Sequence, residues 1–218
     1  MNFPTTRWSL IVASGASDDA RAAWAELAAN YRSAIHVYFR CRFGADAADD
    51  LTSAFFTESI AGGWWARADL DRGSFRTYLR MLLRRFGARH AERIAPMQTS
   101  ESDVERVADD DGDPEAAYER DFAHTLVERA LARLRIEHAD AVDVRALLPF
   151  LLDRGDQGDL KQLAVELGLA QNTLLQRLRR MRLRLRELLR DEFAQLVADP
   201  ASIDAELLTI REALTRTK

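Results

Sequence analysis

At 218 residues and 24.7 kDa, the chain has room for one domain or two small ones, and 47% hydrophobic with 30% charged residues marks globular protein rather than disorder. The longest apolar run, Ala146 to Leu152, falls far short of a membrane span, and Met1 to Gly15 lacks the charge and apolar length of a secretory signal, so no membrane insertion and a cytoplasmic location are expected. Cys41 stands alone, which excludes an intrachain disulfide and a cysteine cluster for zinc.

The net charge of −4 conceals a strong segregation. Lysine occurs only at Lys161 and Lys218, so 29 of the 31 basic residues are arginine. Asp71 to Ala95 carries a net +5 and Gln171 to Arg190 a net +6, whereas Thr99 to Asp121 between them carries −8. Two basic segments parted by an acidic one point to a polyanion partner met at two places.

In chain order, helical periodicity dominates and strand alternation is nearly absent. Asp18 to Phe43 predicts two helices broken near Asn30. Asp46 to Ile60 predicts a helix with aspartates at its positive end and an apolar face of Leu51, Ala54, Phe55 and Ser59 or Ile60, ended by Gly62 and Gly63. A loop, Trp64 to Arg72, leads to a helix over Phe75 to Arg93 that Pro96 stops. Pro96 to Glu119 is acidic and poor in large apolar residues, which predicts a flexible linker over 96–121. Helices follow over Phe122–Ile136, Ala141–Leu152, Leu160–Leu167, Gln171–Val197 and Ile203–Leu214. The expected fold is all-α: a bundle over 1–95, the linker, a second bundle over 122–190, and a C-terminal helical extension over 191–218.

Leu160 to Arg186 has helix-turn-helix spacing. Ala164 is small where two helices cross, Gly168 suits positive φ in the turn, and Leu174, Leu178, Met181 and Leu185 supply a core seam. Gln171, Asn172, Thr173, Gln176 and Arg177 at the start of the second helix carry donors and acceptors that match base edges. The same pattern also fits an αα-hairpin whose arginines form a solvated face. Arg76, Arg80 and Arg84, four apart, share another helix face beside Trp64, Trp65, Arg67 and Arg72, a pairing of aromatics and cations suited to unpaired bases and phosphates. Equally, the tryptophans fit a core role with the arginines paired to Asp69 and Asp71. No catalytic constellation stands out. His36, His90, His124 and His138 are scattered, no phosphate loop is present, and Asp46, Asp49 and Asp50 fit helix capping better than a metal, so no enzyme activity, cofactor or metal is expected.

These stretches, in this order, resemble the extracytoplasmic-function (ECF) group of bacterial sigma-70 family factors over about residues 5 to 190. Asp49-Asp50-Leu51-Thr52 with Phe55-Phe56 resembles the region 2.2 helix. Arg72-Gly73-Ser74-Phe75-Arg76-Thr77-Tyr78-Leu79 is similar to the start of the region 2.4 helix. Leu163 to Leu169, with Thr173 and Arg177, resembles the region 4 helix-turn-helix, and Thr6-Arg7-Trp8-Ser9-Leu10 the opening of one ECF subset. The resemblance implies a promoter-recognition subunit that binds core RNA polymerase through its β′ and β subunits and directs transcription initiation at promoter DNA. It implies core polymerase contacts at Asp49, Asp50, Phe55, Phe56 and Glu58. It implies −10 DNA contacts at Trp64, Arg67, Arg72, Arg76, Arg80 and Arg84, and −35 DNA contacts at Gln171, Asn172, Thr173, Gln176, Arg177 and Arg180. The acidic linker matches the family's variable segment, which passes near the RNA path as a nucleic-acid mimic.

Region 2.2 departs from the family pattern, with Ala47, Ser53 and Ala54 in place of an acid, a glutamine and a glutamate. Kinase-linked members restore charge there by phosphorylation, which makes Thr52, Ser53 and Thr57 candidate acceptors for a Ser/Thr kinase, each phosphate adding about −1.5 to −2 charges. An anti-sigma factor is another partner that the resemblance implies. In the second bundle Ala170 replaces the usual serine cap and Leu175 a common basic residue. Two other readings stay open: a sigma-like adaptor that no longer drives initiation, and a stand-alone helix-turn-helix repressor that dimerises through Ile203 to Leu214.

Overall fold

The computed structural model describes residues 18–64, 67, 75–94, 113–138, 142–151, 157–194 and 203–215. They form α1 (Asp18–Phe43), α2 (Ala45–Ala61), α3 (Phe75–Ile94), α4 (Pro114–Glu137), α5 (Val142–Leu147) with a 3₁₀ turn at Leu148–Phe150, α6 (Gln157–Glu166), α7 (Gln171–Ala194) and α8 (Ile203–Thr215). Among the described residues there is no strand. None of these helices is long and apolar enough to cross a membrane. The chain divides into two compact units, Met1–Thr125 with Phe193–Lys218, and Leu126–Glu192. That division falls inside α4 and groups the C-terminal segment with the first unit.

Two expectations are corrected. The first is the break near Asn30: α1 runs unbroken through it, and Asn30 is buried. Asn30 is packed beside the buried Tyr31, and that burial within the helix overrides asparagine's preference for helix ends. The second is the linker, because the chain is already helical from Pro114. Asp113 caps that start, its Oδ1 accepting the Glu115 N–H at 2.9 Å while Pro114 occupies the first helical position, where no N–H is needed. Ala117 and Tyr118 are then buried, at 6% and 0% exposure.

In the first unit, Tyr31, Ile35, Tyr38 and Phe39 of α1 pack with Leu51 and Phe55 of α2, Phe75, Leu79, Leu83 and Phe86 of α3, and Tyr118 and Phe122 of α4. Aromatic contacts dominate. Tyr31 stacks on Phe122 at 4.9 Å, and Phe39, Phe55 and Phe86 form a triangle with centroids 5.4 to 6.1 Å apart. Each such ring removed from water contributes about 1.5–3 kcal/mol. Gly44 turns α1 into α2 at φ +87°, ψ 167°, a region that side chains other than glycine's essentially avoid.

In the second unit, the predicted seam is the core. Leu174, Leu178, Met181 and Leu185 pack with Leu188 of the same helix, Ala130 and Leu134 of α4, Leu147, Leu151, and Leu160 and Ala164 of α6. Ion pairs staple the helix ends. Arg133 reaches Glu192 at 2.9 Å and Asp191 at 3.4 Å, and Arg184 forks onto Glu137 at 2.7 and 2.8 Å.

Candidate nucleic-acid interface

The turn between α6 and α7 is built by backbone hydrogen bonds. Gly168 takes φ +61°, its N–H reaches the Val165 carbonyl at 3.1 Å, and the Leu169 N–H reaches back to Ala164 at 2.9 Å. This pair of bonds closes a helix only where the residue after its cap is left-handed, the conformation glycine adopts without penalty. Helix α7 then starts at Gln171. Ala170 brings no side-chain acceptor, but its carbonyl accepts the N–H groups of Thr173 at 2.9 Å and Leu174 at 3.3 Å.

Of the six residues expected on −35 DNA, Gln171, Asn172, Gln176 and Arg180 are exposed, while Thr173 and Arg177 are half-buried. Asn172, Gln176 and Arg180, spaced four apart, form one line opposite the Leu174–Leu178–Met181–Leu185 seam. Such a line can lie in a major groove with amide and guanidinium groups forward. Arg184, farther along, grips Glu137 and Glu187. That grip raises its own pKa and holds the Glu137 carboxyl below the ordinary carboxylate range, through the Arg184 hydrogen bond first.

The arginines of the first unit are arranged differently. Arg76 and Glu119 form an ion pair with both side chains nearly buried, at 8% and 12% exposure. Arg80 reaches Glu119 at 3.2 Å and Glu115 at 3.6 Å, and Arg84 reaches Glu115 at 3.0 Å. Helices α3 and α4 run antiparallel here, so arginines spaced four apart meet glutamates spaced four apart as a ladder. This corrects the expectation for Arg76. A cation that far out of water needs a paired carboxylate, and a phosphate cannot reach it. Arg80 is half-buried between Glu119 and Glu115, whereas Arg84 pairs with Glu115 at the edge of the ladder and stays exposed to solvent.

Trp64 packs against the first unit's aromatic core. Its ring is half-buried against Phe55 at 6.0 Å and Phe86 at 6.4 Å, Arg89 lies 5.3 Å over it, and the Tyr78 hydroxyl donates to its carbonyl at 2.5 Å. Gly63, at φ +58°, and Gly62 set this placement, since a Cβ on Gly62 would collide with the indole. The ring therefore packs along the bundle wall with part of its surface still accessible. Arg67 is exposed. Arg72, Trp65, Asp69 and Asp71 lie outside the described residues, as do Thr6 to Leu10.

On α2, the expected polymerase-binding residues separate by face. Asp49 and Asp50 are exposed, with Asp49 3.5 Å from His36. Glu58 sits 3.5 Å from Arg89 and 3.9 Å from His90, and Phe56 is half-buried. Phe55 is fully buried in the aromatic triangle and presents nothing to a partner, a correction that follows from sharing its face with Leu51 and Ser59. Thr52 is corrected likewise. Its side chain is fully buried and its hydroxyl donates to the Ala48 carbonyl at 2.7 Å, which removes it as a kinase acceptor. Ser53 and Thr57 are exposed on the same arc as Asp46, Asp49 and Asp50. The Thr57 hydroxyl donates to the Ser53 carbonyl at 2.9 Å.

Sequence reasoning did not single out Glu115 and Glu119, or the exposed Leu183 beside Leu175 on α7. The signal for the first pair was their spacing of four, matched to that of the arginines. For the second it was two leucines eight residues apart, off the core seam. Set against protein-family models, curated proteins and solved structures, the chain matches none.

Proposed function

We propose that the chain is a sigma factor of ECF type, which brings core RNA polymerase to a promoter and directs transcription initiation. The observation that carries this reading is the α6–Gly168–α7 unit, whose second helix turns Asn172, Gln176 and Arg180 outward in one line above an apolar seam. Non-specific attraction comes from the surrounding arginine charge, and base-edge contacts from this line supply discrimination. The exposed arc of α2, with Asp46, Asp49, Asp50, Ser53 and Thr57, is the surface proposed to meet a basic helix of the polymerase, and phosphate on Ser53 or Thr57 would strengthen it. The chain holds no reacting groups in this reading; the polymerase does the chemistry.

A second reading, an adaptor that binds polymerase without opening DNA, is favoured by the glutamate ladder. Arg76, Arg80 and Arg84, expected on −10 phosphates, already face Glu115 and Glu119. Footprinting of the polymerase–chain complex on a selected promoter separates the two. Under the sigma reading, Arg180→Ala removes upstream protection and leaves downstream melting at high protein concentration; under the adaptor reading no promoter is melted.

A further inference from the structure

The resemblance implies a polymerase contact at Glu58, yet its carboxylate turns toward α3. Asp50, Ala54 and Glu58 lie four apart on α2, and along that line Asp50 is exposed whereas Ala54 and Glu58 are half-buried. One Glu58 oxygen lies 3.5 Å from Arg89 Nη2 and the other 3.9 Å from His90 Nε2. Phe86, Arg89 and His90, at three- and four-residue spacing, share the α3 face that meets α2. The His90 ring stacks on Phe86 at 4.0 Å with Nδ1 3.1 Å from the Phe86 carbonyl oxygen, and so backs the carboxylate. Arg89 lies 5.3 Å over the Trp64 ring and 5.9 Å over Phe86, and Glu58 is its carboxylate partner. On the backbone side, the Trp64 carbonyl accepts the Tyr78 hydroxyl at 2.5 Å and the Arg67 N–H at 3.1 Å.

We propose that Glu58 and Arg89 are positioning residues for Trp64, with Glu58 acting inward rather than on a partner protein. An arginine side chain free in water samples many rotamers, and a carboxylate at its tip with an aromatic face beneath it selects one of them. Glu58 thereby aims the guanidinium, and the guanidinium covers one part of the indole while the rest stays accessible in a fixed attitude. Tyr78 tethers the same residue through its backbone, so α2 and α3 together set both the ring and the direction of the chain. Glu58 and Arg89 keep much of their surface in water, at 39% and 56% exposure, where an ion pair adds little to stability. The clasp therefore governs orientation, not folding. Its consequence for promoters rests on the sigma reading, in which the segment after Trp64 meets −10 DNA. Glu58 then serves DNA opening and not polymerase affinity.

The test uses the full, isotope-labelled chain and follows the Trp64 indole N–H resonance by NMR, assigned by its absence from Trp64→Phe. Glu58→Gln and Arg89→Gln are each expected to move that resonance and leave the melting temperature unchanged. Arg89→Lys, which keeps the cation, is expected to move it less than Arg89→Gln does. Binding to core polymerase is expected to be unchanged in Glu58→Gln and weakened in Asp49→Asn with Asp50→Asn. Promoter opening by the polymerase complex falls about two- to fivefold in Glu58→Gln and Arg89→Gln and recovers in Arg89→Lys. A Trp64 resonance unmoved by Glu58→Gln overturns the proposal. So does a loss of polymerase affinity in Glu58→Gln equal to that of the double asparagine variant, which returns Glu58 to the partner surface. Where the parent chain opens no promoter the sigma reading fails, and the resonance alone supports or overturns the clasp.

Discussion

Arg76 on α3 and Glu119 on α4 form an ion pair in which each side chain is almost withdrawn from water, at the end of a ladder continued by Arg80, Glu115 and Arg84. Such a pair contributes little against an apolar replacement, but breaking it leaves an uncompensated buried charge. Glu119→Ala is therefore expected to destabilise the first unit by about 3–5 kcal/mol. Arg76→Met with Glu119→Leu recovers most of that loss. Urea unfolding of the three proteins checks both statements.

This ladder also shows what one chain's sequence conveys. The spacing of Arg76, Arg80 and Arg84 identifies a face, but not what lies opposite it. Glu115 and Glu119 stand in a stretch whose acidity imitates a linker, and Ala117 and Tyr118, which with Phe122 bury that helix, are thinly spread among ten acids from Thr99 to Asp121. By contrast, Leu174, Leu178, Met181 and Leu185 are legible from periodicity, because they recur at three- and four-residue intervals on one face of a helix whose remaining positions are mostly polar or arginine. Gly168 is legible too, since its place between two apolar patterns requires a tight turn.

Gly168→Ala tests that turn. At φ +61°, a side chain costs roughly 1–2 kcal/mol, although a Cβ there meets open space. The loss is expected in the unfolding of the second unit, with the first unit unchanged, as followed by hydrogen exchange.

On α2 the candidate phosphoacceptors divide. Thr52→Asp places a carboxylate at a fully buried position and costs several kcal/mol, whereas Ser53→Asp and Thr57→Asp, on the exposed arc, leave the melting temperature within about 2–4 °C of the parent. Thermal unfolding compares the three. Kinase treatment followed by mass spectrometry is expected to find phosphate on Ser53 or Thr57 and none on Thr52. Phe55 and Phe56 carry a related lesson. Helical periodicity already puts Phe55 on the face of Leu51 and Ser59, where Phe39 and Phe86 meet it, and turns Phe56 aside, so both cannot serve a partner together.

The Glu137–Arg184 pair predicts a pH dependence. Its hydrogen bonds with Arg184 hold the Glu137 carboxyl below its ordinary value of 4.5. The unfolded chain therefore takes up a proton first as pH falls. The stabilisation is full above pH 4.5 and is lost as pH drops through the lowered folded value. Wild type is expected to lose melting temperature faster than Arg184→Gln over that range. The difference is small because the pair is solvent-exposed, and it shrinks further in high salt.

Run-off transcription from a pool of candidate promoters, with core RNA polymerase alone or with the chain, unmodified and as Ser53→Asp, tests the central claim most directly. The account predicts promoter-specific transcripts only when the chain is present, reduced at least about tenfold by Asn172→Ala with Arg180→Ala. No chain-dependent transcript from either form despite measurable binding to core polymerase would contradict it and leave the adaptor reading. Tight duplex binding without polymerase would contradict it in favour of a repressor.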